Sequence, residues 1–169
     1  MQIIKKTTTI LFVLFSCVGC DQATKSLARQ NLAGIKPISM FNDIFRFQYA
    51  ENPGAFLSFG ANIPEHVRYA IFTLLIGVFL LGLLIYLMKS TKLHGPDIIA
   101  LSLVLGGGCG NLIDRVFNDG RVVDFLNVGI GSLRTGIFNV ADIAITFGVI
   151  WLALLAMTKR NHSDQIVRQ

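Results

Sequence analysis

Two acids stand where a solvated acid would not be. Asp142 lies in Ile137-Phe138-Asn139-Val140-Ala141-Asp142-Ile143-Ala144-Ile145 and Asp124 in Val122-Val123-Asp124-Phe125-Leu126, both flanked by apolar residues. A carboxylate at bilayer depth costs roughly 2.5 to 3.5 kcal/mol on insertion scales, so it is retained for a reason. The competing structural readings are a helix N-terminal acid favoured by the dipole for Asp142 and a strand-end acid for Asp124. Asn139, three residues before Asp142, is expected to face the same way. A second polar group closes another apolar segment: Gly106-Gly107-Gly108-Cys109-Gly110-Asn111-Leu112-Ile113-Asp114-Arg115. In a helix Asn111 and Arg115 share a face, and Arg115 is either a snorkelling anchor or a group that orients a neighbouring carboxylate.

Two carboxylates that share a proton can divide the roles of base and acid, because like charges held close cannot both ionise. One draws a proton from a bridging water as it attacks a peptide carbonyl; the other hydrogen-bonds the carbonyl oxygen and supplies a proton to the leaving amine. Other chemistries lack their residues. There is no HExxH, Gly-x-Ser-x-Gly or P-loop pattern, and His66, His94 and His162 are isolated. Two Asp and two Asn without His or Cys are a poor zinc set, so no metal and no cofactor is expected. Cys17 and Cys20 have CxxC spacing, but inside an apolar helix they read as small core residues. The rival class is a small multi-span transporter or ion carrier with functional intramembrane acids; it predicts acids near the bilayer midplane, whereas these lie toward one end of their segments.

The elements that must hold these residues are membrane spans. Of 169 residues, 53% are hydrophobic and only 15% charged, which excludes a disordered chain and makes a soluble domain unlike this one. The net charge of +5 comes from basic residues that are scattered or flank apolar segments, so nucleic acid is not expected as a partner. Helices are expected at about 7–27, 69–88, 97–113 and 137–157; Tyr69 to Met88 is an uncharged run of spanning length. Asp21 and Lys25 fall one turn apart on the first. Gly106 and Gly110 have the small-xxx-small spacing of close helix contacts. Lys5, Lys6 and an apolar run ending in Val18-Gly19-Cys20 could be a lipoprotein signal peptide, but three further apolar segments favour a retained first helix.

Four crossings put both termini on one side. Lys5, Lys6, Lys89, Lys92, Lys159 and Arg160 flank the helices there, which makes that side cytoplasmic. Eight acids fall at the other, extracytoplasmic end, and only Asp97 and Asp164 fall inside. Between the first two helices a β region of about 38–60 is expected. Phe45, Phe47 and Tyr49 alternate with Arg46, Gln48 and Ala50 along a strand from Ile38 to Ala50, and Asn52-Pro53-Gly54 makes a turn. Val122 to Val128 is a further strand, with Gly129 and Gly131 as breakers. With no internal repeat or linker, residues 1–169 read as a single domain.

Five ordered motifs carry a resemblance: Asp21-Gln22-Ala23-Thr24-Lys25, Asn52-Pro53-Gly54-Ala55-Phe56, Gly107 through Arg115, Val123-Asp124-Phe125, and Phe138-Asn139-Val140-Ala141-Asp142. Together they span nearly the whole chain, which resembles the bacterial lipoprotein signal peptidases (signal peptidase II). The resemblance implies a membrane, mainly α fold: a four-transmembrane-helix bundle with a small periplasmic β-sheet, the β-cradle. It implies an aspartic endopeptidase of the inner membrane that removes the signal peptide from diacylglyceryl-modified prolipoproteins, cleaving before the lipidated Cys. By motif match Asp124 and Asp142 take the catalytic positions; Asn52, Gly54, Asn111, Arg115, Asn139 and Ala141 match positions around the substrate; Asp21 and Lys25 match a structural polar pair. Phe56 stands where many members carry a smaller residue. Prolipoproteins and membrane lipid are the implied partners, globomycin the implied inhibitor, and a monomer the default state.

Overall fold

The computed structural model describes residues 2–53 and 64–167. Among these are the helices α1 (Gln2–Leu32), α2 (Glu65–Lys89), α3 (Gly95–Phe117) and α4 (Val140–Val167), and the strands β1 (Ile38–Met40), β2 (Phe45–Asn52), β3 (Val122–Ile130) and β4 (Leu133–Arg134). All four helices are long and apolar enough to cross a membrane. α3 is the hub: half of its most apolar window is buried, against 6% for α1 and 11% for α2 and α4. Leu74, Val78 and Phe79 of α2 and Phe147 and Leu154 of α4 are exposed, as lipid-facing positions should be.

The glycines of α3 explain how one helix packs against three. A Cβ on Gly106 would lie 2.7 Å from the Cβ of Cys17 on α1, and one on Gly110 would lie 2.5 Å from Asp21 Oδ2. The intervening Gly107 abuts Ala141 and Ile145 of α4, and Gly108 abuts Leu80 of α2. The helix propensity lost at these positions, about 1 kcal/mol each, is offset by backbone approach on three sides. Of the two cysteines expected in the core, Cys17 packs against Gly106 but Cys20 is exposed, because it lies on the outward side of α1.

At the bundle end away from the sheet, Lys6 Nζ donates to Ser90 O at 2.6 Å and Lys159 pairs with Asp97 at 2.9 Å. These contacts join the start of α1 to the end of α2, and the start of α3 to the end of α4.

α1 runs beyond the expected 7–27 at both ends. At 1.5 Å per residue its 31 residues extend about 46 Å, well past a hydrocarbon core of about 30 Å. Its last turns support the sheet: Ala28 and Leu32 pack on Phe125, with Phe47 and Tyr49 beside them. The sheet is antiparallel in the order β1-β2-β3-β4. The strand expected from Ile38 to Ala50 is broken at 41–44, where Phe41, Asn42 and Asp43 take positive φ and turn the chain back on itself. Gly129 is not a breaker; it stays in β3 opposite Arg134, and the reversal falls at Gly131, whose φ is +57°. The expected β region beyond Pro53 lies outside the described residues.

Candidate active site

Asp142 is positioned by a helix start. α4 begins at Val140 rather than 137, because Phe138 pairs with Leu126 of β3 and holds the chain extended to that point. Asn139 precedes the helix, and its Oδ1 accepts from Asp142 N at 3.0 Å while Asp142 Oδ2 accepts from Asn139 N at 3.1 Å. This is a reciprocal capping arrangement. Asp142 therefore sits in the first turn of α4, where the dipole favours an anion, nearer the helix start than the expected span of 137–157 would place it. The helix-terminus reading of Asp142 holds, and the same placement presents its carboxylate to the site.

Asp124 comes from β3. Alternation buries Val123 and Phe125, and Asp124 is itself only 2% exposed. The register sets it opposite Ala50 of β2 and puts Asn52 one diagonal step away, from which Asn52 Nδ2 donates to Asp124 Oδ2 at 3.1 Å. Asn139 Nδ2 donates to Asp124 Oδ1 at 2.7 Å. One residue thus holds both acids, Asp124 with its side-chain amide and Asp142 with its main-chain N–H.

Burial pushes the Asp124 carboxyl up to about 6, and the nearby Asp142 charge adds to the rise, against the lowering effect of the Asn52 and Asn139 hydrogen bonds.

Below the two acids lies a buried polar floor. Asn111 Nδ2 donates to Asp142 Oδ1 at 2.9 Å, and Asn111 Oδ1 accepts from Lys25 Nζ at 2.9 Å and from Asn139 Nδ2 at 3.0 Å. Lys25 pairs with Asp21 at 2.7 Å and with Asp114 at 3.1 Å, all three at most 5% exposed. Asp21 Oδ1 accepts from Ala141 N at 3.0 Å, and Asp114 Oδ2 from Val123 N at 2.9 Å. The floor therefore ties the start of α4 and the start of β3 to α1 and α3.

The structure brings Asp124, Asp142, Asn52, Asn111 and Asn139 together and sets Asp21 and Lys25 directly beneath them. Ala141 is 1% exposed, with its N–H committed to Asp21. Arg115 Nη1 donates to Asn111 O at 3.2 Å instead of to a carboxylate. Its Nε is buried with no hydrogen-bond partner among the described residues, although the charges of Asp142, Asp124 and Asp114 act on it. Gly54 and Phe56 lie outside the described residues. Sequence reasoning did not single out Gln22 or Asp114. Gln22 Nε2 donates to Gly110 O at 3.1 Å and Asp114 Oδ1 at 3.0 Å, and the spacing of Asp114, three residues after Asn111, could have placed it on the same helix face.

Asp142 also lines a groove of about 590 Å³, whose other walls include Gly136, Ile137, Phe138, Ile143 and Phe147. It opens along the outward face of α4, so the polar site communicates sideways with the apolar surface of the bundle. A hollow of about 500 Å³ near Tyr86 and Lys92 contains no acid.

A solved structure described as a bacterial membrane enzyme superposes on this fold with a TM-score of 0.74 at 27% identity, covering 88% of this chain and 92% of the other. Four membrane-length helices, an attached sheet and acids held at one end of the bundle are thus the features of a multi-pass membrane enzyme. The family model for signal peptidase (SPase) II matches residues 13–158. A lipoprotein signal peptidase from Syntrophus aciditrophicus is 35% identical over 94% of this chain and 99% of its own length. Another from Sulfurihydrogenibium sp. is 37% identical over 86% and 88%. The chain belongs to the signal peptidase II family.

Proposed function

We propose that this protein removes the signal peptide from diacylglyceryl-modified prolipoproteins, cutting before the lipidated Cys with Asp124 and Asp142 as its catalytic acids. One observation carries the reading: both carboxylates are bound to Asn139, and one of them, Asp142, lines a groove along the exposed apolar face of α4. Family membership supports the reaction; the geometry supports the assignment of residues.

Asp142, at the positive end of α4, is suited to hold the negative charge. Asp124, which keeps its proton into weakly acidic conditions, is suited to hold the proton. In the forward step a water between them adds to the scissile carbonyl carbon and gives a proton to Asp142, while the Asp124 proton moves toward the carbonyl oxygen. The carbon–nitrogen bond then breaks as a proton reaches the amine, and the pair returns to its single shared proton. Asn52, Asn111 and Asn139 keep the two acids in register, and Arg115, whose Nε has no hydrogen-bond partner among the described residues, is suited to a substrate carbonyl. Gly54 is assigned to the substrate by its motif. Ala141 is likewise assigned to the substrate by its motif, while its backbone is fixed by the N–H bond to Asp21 and by the close approach of Gly107.

The groove gives the substrate lateral access from the bilayer, so its apolar segment lies against α4 while the acyl chains remain in lipid. The site then faces the periplasm and both termini the cytoplasm, in the inner membrane, with Lys6, Lys89 and Lys159 at the cytoplasmic end. A monomer suffices, and globomycin is the expected inhibitor. The test is cleavage of a lipidated precursor in vesicles. Asp124→Asn and Asp142→Asn should each lower the rate roughly 10²-fold or more with insertion unchanged, and retained cleavage in either variant overturns the assignment.

A further inference from the structure

The hollow of about 500 Å³ at the bundle end away from the sheet follows α2 from Gly82 into the turn at Lys92. Its lining changes character along its length. Gly82, Ile85, Tyr86 and Lys89 are spaced at i, i+3, i+4 and i+7, so they form one stripe of a membrane-length helix. Ile85 and Tyr86 are exposed along that stripe. Lys89 and Lys92, with the hydroxyls of Ser90 and Thr91, close its outer end. From Gly82 to Lys89 the stripe is about 10 Å long.

Gly82 has no packing reason within the chain. The glycines of α3 from 106 to 110 bring neighbouring helices against the backbone, whereas a Cβ on Gly82 would meet nothing within 4 Å. The helix propensity it forfeits, about 1 kcal/mol relative to Ala, is therefore not returned by an internal contact. What it leaves is a notch in the apolar part of the stripe, one turn below Ile85 and Tyr86.

The positive charge at the outer end is unspent. Among the described residues neither Lys89 nor Lys92 pairs with a carboxylate, and Asp97, the acid that follows them in the chain, is held by Lys159 and His94. The carbonyls that end α2 are the negative pole of its dipole and would repel an anion. Lys6 covers them: its Nζ donates to Ser90 O at 2.6 Å and to Met88 O at 3.4 Å. A third cation thus backs the turn, and Lys89 and Lys92 remain for a ligand from outside.

We propose that this hollow binds one anionic phospholipid of the leaflet opposite Asp124 and Asp142, its phosphate at Lys89 and Lys92 and an acyl chain laid past Ile85 into the notch at Gly82. Two ammonium groups and two hydroxyls suit a phosphate diester whose headgroup adds no cation of its own. A zwitterionic headgroup brings an ammonium against the lysines. The apolar stripe below them fits a lipid and has no counterpart in a free anion. The site rests on the spanning helices and not on the peptidase chemistry.

The test counts lipid retained by the full chain when native mass spectrometry releases it from detergent micelles. Dioleoylphosphatidylglycerol should bind at one per chain, roughly tenfold or more tightly than dioleoylphosphatidylcholine. Lys89→Gln with Lys92→Gln should abolish that preference, and Lys89→Arg with Lys92→Arg should keep it. Gly82→Leu fills the notch and leaves both lysines in place, and it should weaken phosphatidylglycerol binding roughly threefold or more. Equal retention of the two lipids by the native chain, an unchanged preference in the glutamine pair, or native binding in Gly82→Leu overturns the proposal. Displacement of the lipid by inorganic phosphate also overturns it, because the hollow then reads only a free anion. Gly82→Leu raises helix propensity, so it remains decisive if the glutamine pair folds poorly.

Discussion

Lys25 donates to Asn111 Oδ1 at 2.9 Å, and this contact decides which way the Asn111 amide faces. With its oxygen held by Lys25 and by Asn139 Nδ2, Asn111 can only turn its Nδ2 toward Asp142 Oδ1. A buried cation that touches neither Asp124 nor Asp142 thereby orients a donor on one of them.

Lys25→Met should cost more than that one hydrogen bond. It strands Asp21 and Asp114 as buried carboxylates without their cation, a loss of about 3–5 kcal/mol. The expected result is a large fall in the thermal unfolding midpoint in detergent. Adding Asp21→Asn to Lys25→Met should recover part of it, and a midpoint within error of the native value in Lys25→Met alone contradicts the role.

Cleavage should fade on the alkaline side as Asp124 loses its proton, so kcat/KM should decline above a pH near 6. Asn52 donates to Asp124 Oδ2 and so favours the carboxylate. Asn52→Leu removes that donor, and the alkaline limb should move to higher pH. A shift in the acid direction contradicts the assignment.

Stability should show the same ionisation with the opposite consequence for an Asn variant. The Asp124 carboxyl is raised from 3.8 to about 6 in the folded protein. The unfolded chain therefore releases this proton first, and native stability falls as pH rises between those values. The ceiling on the effect is about 3 kcal/mol. Asp124→Asn abolishes the titration, so relative to the native protein it should gain stability between pH 4 and pH 7 on the order of 1–3 kcal/mol. Midpoints measured across that range should diverge as pH rises.

The glycines of α3 should tolerate a methyl group unequally. At Gly110 the added Cβ would meet Asp21 Oδ2 at 2.5 Å, and Asp21 is held by Lys25 and Ala141. At Gly108 it would meet the end of the Leu80 side chain, which can turn aside. Gly110→Ala should cost about 1–3 kcal/mol and also lower cleavage through the displaced floor. Gly108→Ala should leave cleavage near the native rate.

Much of this arrangement was legible in the chain. The span Tyr69 to Met88 is visible because a helix in lipid must satisfy its own backbone and present apolar side chains for about 20 residues. Phe47 and Tyr49 announced an amphipathic strand, since only a period of two puts both on α1. Asp124 and Asp142 stood out because ionisable residues flanked by apolar neighbours are expensive.

The rest depended on long-range contacts. Phe138 is extended rather than helical because Leu126 pairs with it, and that distant partner moves the start of α4 to Val140 and turns Asp142 into a first-turn acid. The break at 41–44 arises where the turn can be clamped by Arg134, ninety-one residues away from Asp43. Residue type and spacing by themselves determined the spans, the strand faces and which acids stand among apolar neighbours, since these follow from local periodicity and solvation. Only the tertiary structure decided that Asn139 holds both acids and that Lys25 orients Asn111, because donors and acceptors brought together from α1, α3, β3 and the start of α4 acquire their partners only when the chain is packed.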